Sequence, residues 1–181
     1  LGFFVLYKTY FSISILYFCF MIRILTVLLS ITILTGCKSK DQAIKTSDTS
    51  INWITIEEAQ TLIKTAPKKV MIDVYAVWCG PCKKMAKHTF QDPEVVAYIN
   101  KNFYAVKFNA ESKKPIKFLN KTYNNPGRTH QLALKIGSNN GQLSYPSIVY
   151  FDKEFNKLSV VPGYYEPKEF LINTKFFGDN I

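Results

Sequence analysis

Two cysteines separated by two residues, Cys79 and Cys82 in Trp78-Cys79-Gly80-Pro81-Cys82-Lys83, carry the chemistry most readily read from this chain. The other two cysteines, Cys19 and Cys37, lie in an apolar amino-terminal region, so the pair stands alone in the remainder. A secreted domain stapled for stability spreads several cysteines along its length. A loop this short constrains the unfolded chain little, so the pair is better explained by reaction than by architecture. An apolar run ending at Ala76 delivers Cys79 to the start of the next helix. There, unpaired backbone N–H groups and the helix dipole favour a thiolate, the species that attacks disulfides. Gly80 permits close backbone approach, and Pro81 fits a first helical turn. Cys82, one turn on and on the same face, is placed to attack a mixed disulfide. Cys79 is thus the expected nucleophile and Cys82 the resolving thiol. A zinc site built from the pair with His88 and His130 is the rival chemistry. Pro81, Trp78 and the strand-to-helix setting fit redox exchange better, and the two histidines are expected at the surface or half-buried in helices.

Positioning the pair requires a strand that ends before it and a helix that begins at it. Val70 to Ala76 is short, apolar and rich in β-branched and aromatic residues, as a strand buried on both faces should be. Upstream, Thr55-Ile56-Glu57-Glu58 is a capping box opening a helix through about Lys64. Downstream, the active-site helix runs from Gly80 to about Thr89, and Asp92-Pro93 caps a third helix reaching about Lys101. Phe103 to Phe108 is a strand, and Ser147 to Phe151 with Lys157 to Val161 form a hairpin around Asp152 to Asn156. Pro167 opens a last helix reaching about Phe177. Between Asn109 and Leu143 the chain is polar and helix-prone in pieces, with Thr129 as a cap and Gly137 as a stop. Together these elements predict an α/β layer structure with a central mixed sheet flanked by helices, and a helical insertion between about 110 and 142. Tyr164-Tyr165 and Phe176-Phe177 are expected to pack in the core rather than form a partner patch.

The stretch Val70 to Lys83, VMIDVYAVWCGPCK, resembles the active-site strand and helix of the thioredoxin family, and the resemblance covers most of residues 53–177. Lys87-His88-Thr89-Phe90-Gln91-Asp92-Pro93 looks more like small envelope thioredoxin-like lipoproteins and the periplasmic thiol-reducing domains of membrane electron-transfer proteins. The resemblance implies a thioredoxin fold whose only redox group is a Cys79–Cys82 disulfide, with no cofactor and no metal. It makes Asp73, six residues before Cys79, a buried acid that takes the proton of the resolving cysteine; the alternative is an ordinary strand aspartate facing solvent. Lys107 then either pairs with that acid or faces solvent as a lone strand lysine. Pro146 matches the family's cis-proline, which holds the Tyr145 backbone ready to pair with an extended client; the alternative is a plain strand-start proline. Client contact falls to Trp78, Gly80, Pro81, Tyr145 and Pro146. The sequence departs from the family's common pattern in the long 109–143 stretch and in the apolar or bulky Val77 and Tyr145, which bears on substrate choice.

The amino terminus reads as an address. Residues 1–36 are almost wholly apolar, and from Met21 they run as a basic residue (Arg23), an apolar run from Ile24 to Leu34, and Leu34-Thr35-Gly36-Cys37. The last four residues resemble a bacterial lipoprotein box, which implies cleavage before Cys37 and its lipidation; an uncleaved anchor from about Tyr10 to Leu34 is the alternative. Residues 37–50 are the expected lipidated start and flexible tether, and 51–181 the folded domain. The net charge is +10, from 23 basic and 13 acidic residues, and only Lys8 and Arg23 of these lie in 1–36. The basic residues are scattered singly and in pairs with no nucleic-acid motif, so a solvated basic surface is expected and no nucleic-acid partner. The expected activity is thiol–disulfide exchange that reduces disulfides of envelope proteins. The expected setting is a monomer held on a bacterial envelope membrane by its lipid, in the periplasm or on the outer face. Gly80-Pro81 resembles the reducing members of the family, and a reductant in an oxidising compartment requires a membrane thiol donor. The alternatives are a binding or chaperone module that retains the fold, or an oxidising or isomerising one.

Overall fold

Successive side chains on a strand point to opposite faces, and Lys69–Tyr75 (β2) uses both. Val70, Ile72 and Val74 join one buried cluster, whereas Met71 joins the other. Residues 49–179 are described by the computed structural model; the expected signal segment, the expected lipidation site at Cys37 and nearly all of the expected tether lie outside them. β2 is the middle strand of a five-stranded mixed sheet ordered β1-β3-β2-β6-β7. Here β1 is Trp53–Ile54, β3 Phe103–Asn109, β6 Ser147–Phe151 and β7 Lys157–Pro162. β1 and β2 pair parallel to β3, and β6 pairs antiparallel to both β2 and β7. β1, at two residues, is too short to leave a pattern in the sequence.

The helices begin where their caps dictate. Helix α1 (Ile56–Thr65) follows the Thr55 capping box, in which Glu58 N–H donates to Thr55 Oγ1 (3.2 Å) and Thr55 N–H to Glu58 Oε2 (2.7 Å). Helix α2 (Gly80–Lys87) starts at Cys79 and passes into a 3₁₀ turn, Thr89–Gln91. Helix α3 (Pro93–Asn102) is capped by Asp92, whose Oδ1 accepts from Glu94 and Val95 N–H. The cluster containing Met71 also takes in Met85 of α2, Val95 and Ile99 of α3, and Phe170 of the last helix, α5 (Pro167–Asp179). Tyr164, Tyr165 and Phe177 pack against this cluster as expected, and Phe177 stacks on Tyr150 with centroids 4.4 Å apart, but Phe176, also expected in the core, is 56% exposed.

The stretch expected as a helical insertion divides its length between two kinds of structure. It carries helix α4 (Gln131–Gly137), ending at the predicted Gly137, and also a hairpin of β4 (Ile116–Phe118) and β5 (Lys121–Tyr123). The expected cap, Thr129, is displaced by one residue: His130 Nδ1 accepts the Leu132 N–H at 3.1 Å. His130 is fully buried, contrary to the surface or half-buried place expected for it, because capping from inside spares a buried N–H.

Candidate active site

Cys79 and Cys82 are joined in a disulfide, with their Cα atoms 5.3 Å apart. Cys79 occupies the N-cap of α2 in an extended conformation, and its Sγ accepts the Cys82 N–H at 3.1 Å. Sulfur thus takes the place that a Ser or Asp oxygen holds at an ordinary N-cap, where the free N–H groups stabilise negative charge. Pro81 stands in the first turn, as expected. Gly80 does not approach any backbone of its own chain: a Cβ there would meet nothing within 4 Å. Its side faces solvent, so the room it leaves is open to an incoming molecule. The disulfide forms a small apolar cluster with Ala76, against which Tyr75 and Tyr145 pack.

Strand alternation carries Asp73 to the Met71 face, the one that α2 covers. Its neighbour in register on β3 is Lys107, and Lys107 Nζ lies 3.7 Å from Asp73 Oδ2. The sequence left open whether these two face solvent; Asp73 is buried and Lys107 is half-buried beside it. Asp73 Oδ1 has no hydrogen-bond partner. Burial pushes the Asp73 carboxyl up to about 6, and the Lys107 charge works against that rise. Lys107 Nζ also lies over the rings of Trp53 (5.0 Å) and Tyr75 (5.4 Å), which hold the cation in place. Asp73, Lys107 and Cys82 line one cleft of about 240 Å³, which therefore joins a carboxyl of raised pKa to the inner sulfur.

The Tyr145-Pro146 bond is cis, and β6 begins at Ser147 immediately after it. Trp78 is 67% exposed and meets Tyr145 edge-on, with centroids 5.7 Å apart. Val77 is also exposed, so an apolar lip runs beside the buried disulfide. Burial raises the Tyr145 hydroxyl above its ordinary pKa, Thr129 opposes the rise through a hydrogen bond, and the Glu111 charge adds to it.

Sequence reasoning missed the far wall of this lip. Glu111 Oε2 accepts the Val77 N–H at 2.8 Å, tying the 109–143 stretch to the loop that carries Cys79. Glu111, Arg128 and Thr129 face Trp78 and Tyr145 across a cleft of about 580 Å³. No motif marks Glu111; only the position where β3 ends brings it there. The zinc alternative meets an obstacle in His130, whose Nδ1 is taken by Leu132 N–H and whose Nε2 lies 3.1 Å from the Lys114 carbonyl oxygen. His88 is exposed at the far end of α2.

Comparison with known proteins gives the same family as the motif. The profile of the thioredoxin-like domain family matches residues 56–177. The thiol:disulfide interchange protein DsbD of Vibrio vulnificus (strain CMCP6) is 42% identical over 65 residues, covering 33% of this chain and 11% of that protein. The chain thus spans about a tenth of the length of the curated relatives it matches. Among solved structures, the DsbH oxidoreductase superposes with a TM-score of 0.54 at 15% identity, over 80% of this chain and 95% of the other. A thioredoxin from Thermus thermophilus gives 0.52 at 18% identity, over 70% and 85%. At those identities the superpositions speak to the fold alone.

Proposed function

Because the chain belongs to the thioredoxin-like family, we propose that it is a thiol–disulfide oxidoreductase that reduces disulfides of envelope proteins through Cys79 and Cys82. The observation that carries this reading is the Cys79 sulfur at the N-cap of α2, held by a backbone N–H. In the dithiol form, the Cys79 thiolate attacks one sulfur of a client disulfide, and the client's other sulfur leaves as a thiolate that takes a proton. Cys82 then gives its proton to the Asp73 carboxylate through the cleft they share, and its thiolate attacks Cys79 Sγ. The bond between Cys79 and the client breaks, and the client departs as a dithiol. What remains is the Cys79–Cys82 disulfide seen here, two electrons poorer, which a membrane thiol donor must reduce again. Lys107 positions the Asp73 charge, and the cis bond at Pro146 presents the Tyr145 backbone beside the sulfur for pairing with an extended client. Trp78, Gly80 and Pro81 form the surface the client meets. Gly80-Pro81 between the cysteines favours the reducing direction, by resemblance to reducing relatives.

Trapping separates the two sulfurs. Cys82→Ser should accumulate mixed disulfides with clients through Cys79, and Cys79→Ser should accumulate none. Equal trapping by both variants would abolish the assignment, trapping by Cys79→Ser alone would reverse it, and no trapping with no insulin reduction by the parent would favour a binding module. The same reading tethers the domain to a membrane through a lipidated Cys37, on the strength of Leu34-Thr35-Gly36-Cys37. Mass spectrometry of the mature chain should find Cys37 as its acylated first residue; a chain retaining residues 1–36 contradicts it.

A further inference from the structure

At the end of the sheet opposite Cys79 lies a second cleft, of about 510 Å³. Phe151 on its wall is level with Val70, whereas the redox loop leaves β2 after Tyr75. Its floor is aromatic, with Phe118 set edge-on against Phe155 (5.5 Å) and Phe151 (5.9 Å). Lys121, Lys135 and Lys157 line it, no carboxylate does, and none of the three lysines makes an ion pair among the described residues. Of the acids in the adjacent β6–β7 turn, Asp152 accepts from Glu154 N–H, Asn156 N–H and Asn156 Nδ2, and Glu154 is exposed, next in sequence to the equally exposed Lys153.

Leu119 projects beside this basic cleft in a way that folding alone does not explain. It sits in the β4–β5 turn at φ 54, the left-handed region that favours glycine or asparagine, yet it carries a bulky side chain that is 51% exposed. Its place is fixed, because Leu119 N–H donates to Gln60 Oε1 (2.6 Å) and Gln60 Nε2 donates to the Lys117 carbonyl (2.8 Å). A strained apolar residue pinned outward among lysines has the make-up of an interfacial contact. The chain also enters the domain at this end. Trp53 is level with Met71 through their common partner Ala105, and β1 runs parallel to β3, so Ile51 lies toward the Lys69 end. The sequence farther upstream is the apolar stretch of residues 1–36.

We propose that this end of the domain docks on an anionic lipid bilayer, with Leu119 entering the interface and Lys121, Lys135 and Lys157 among the headgroups. Lysine stems lie along apolar surface while their ammonium groups reach phosphate, so one patch serves both layers of the interface. Docking in this way turns Cys79 away from the lipid, toward soluble clients. The inference does not depend on the redox direction.

Quenching by lipids with brominated acyl chains tests it on the full chain carrying Leu119→Trp, reading the emission in excess of the parent, whose Trp53 and Trp78 are common to both. In vesicles of equal phosphatidylcholine and phosphatidylglycerol that excess should be quenched several-fold more than in phosphatidylcholine alone, and high salt should reverse the difference. Lys121→Glu/Lys135→Glu/Lys157→Glu should abolish it, and the corresponding Gln variant should weaken it if the Glu variant fails to fold. Equal quenching in the two vesicle types, no quenching, or no response to either triple variant overturns the proposal. So does a full chain that stays in the aqueous phase. Reduction of a soluble disulfide by the same samples keeps this outcome separate from that of the redox reading.

Discussion

Asp73 spends one carboxylate oxygen on Lys107 and leaves the other without a partner in a buried site, an arrangement that costs stability. Its folded pKa of about 6 stands above the ordinary 3.8, so between those values the folded chain binds more protons than the unfolded one. Stability therefore falls as pH rises through that window. The full penalty, about 3 kcal/mol from the gap between the two values, is present above about pH 6 and absent below about pH 4. Asp73→Asn removes the ionisation and keeps the shape. We expect the variant to be more stable than the parent at about pH 8, by about 1–3 kcal/mol, with the difference vanishing near pH 4 in denaturant titrations. The same change removes the proposed proton acceptor for Cys82, so release of the mixed disulfide should slow by about 10²-fold near neutral pH. A stability difference independent of pH would deny the raised pKa. Unchanged release would leave Asp73 a structural residue.

Among the elements, β2 and α2 were the most legible, because their pattern is local. An unbroken apolar run rich in β-branched residues, a helix N-terminus at Cys79 and Pro81 in the first turn all speak within fifteen residues. The Asp73–Lys107 pair was half legible: the sequence supplied both residues, but only the parallel register of β2 and β3 brings them level. The 109–143 stretch was read least well. Its hairpin has three-residue strands, too short for alternation to register, and its cap is a histidine, which also serves many other roles. Glu111 could not be found in advance, since its partner is a backbone N–H 34 residues away. It now gives the insertion a role, bracing the loop before Cys79 from outside. Glu111→Ala should raise KM for a peptide disulfide by about 10-fold by loosening that loop, and should leave the folded core intact. Glu111→Gln retains an acceptor for Val77 N–H and should stay near the parent. If steady-state kinetics find both variants equal to the parent, the insertion does not position the loop.

Across the whole domain, chemistry is concentrated at one end of the sheet: a buried disulfide, an exposed apolar lip and an acid beneath them. No helix among the described residues is long and apolar enough to cross a membrane. An assembly that gives electrons rather than takes them, as proposed for this one, has a definite place on the redox scale. The direct measurement is the reduction potential of the Cys79–Cys82 pair, equilibrated with glutathione or with a reference dithiol of known potential. We expect a value of about −270 mV, in the range of reducing dithiols. A value near about −120 mV, where the reduced form is so stabilised that the disulfide oxidises its partners, would contradict it.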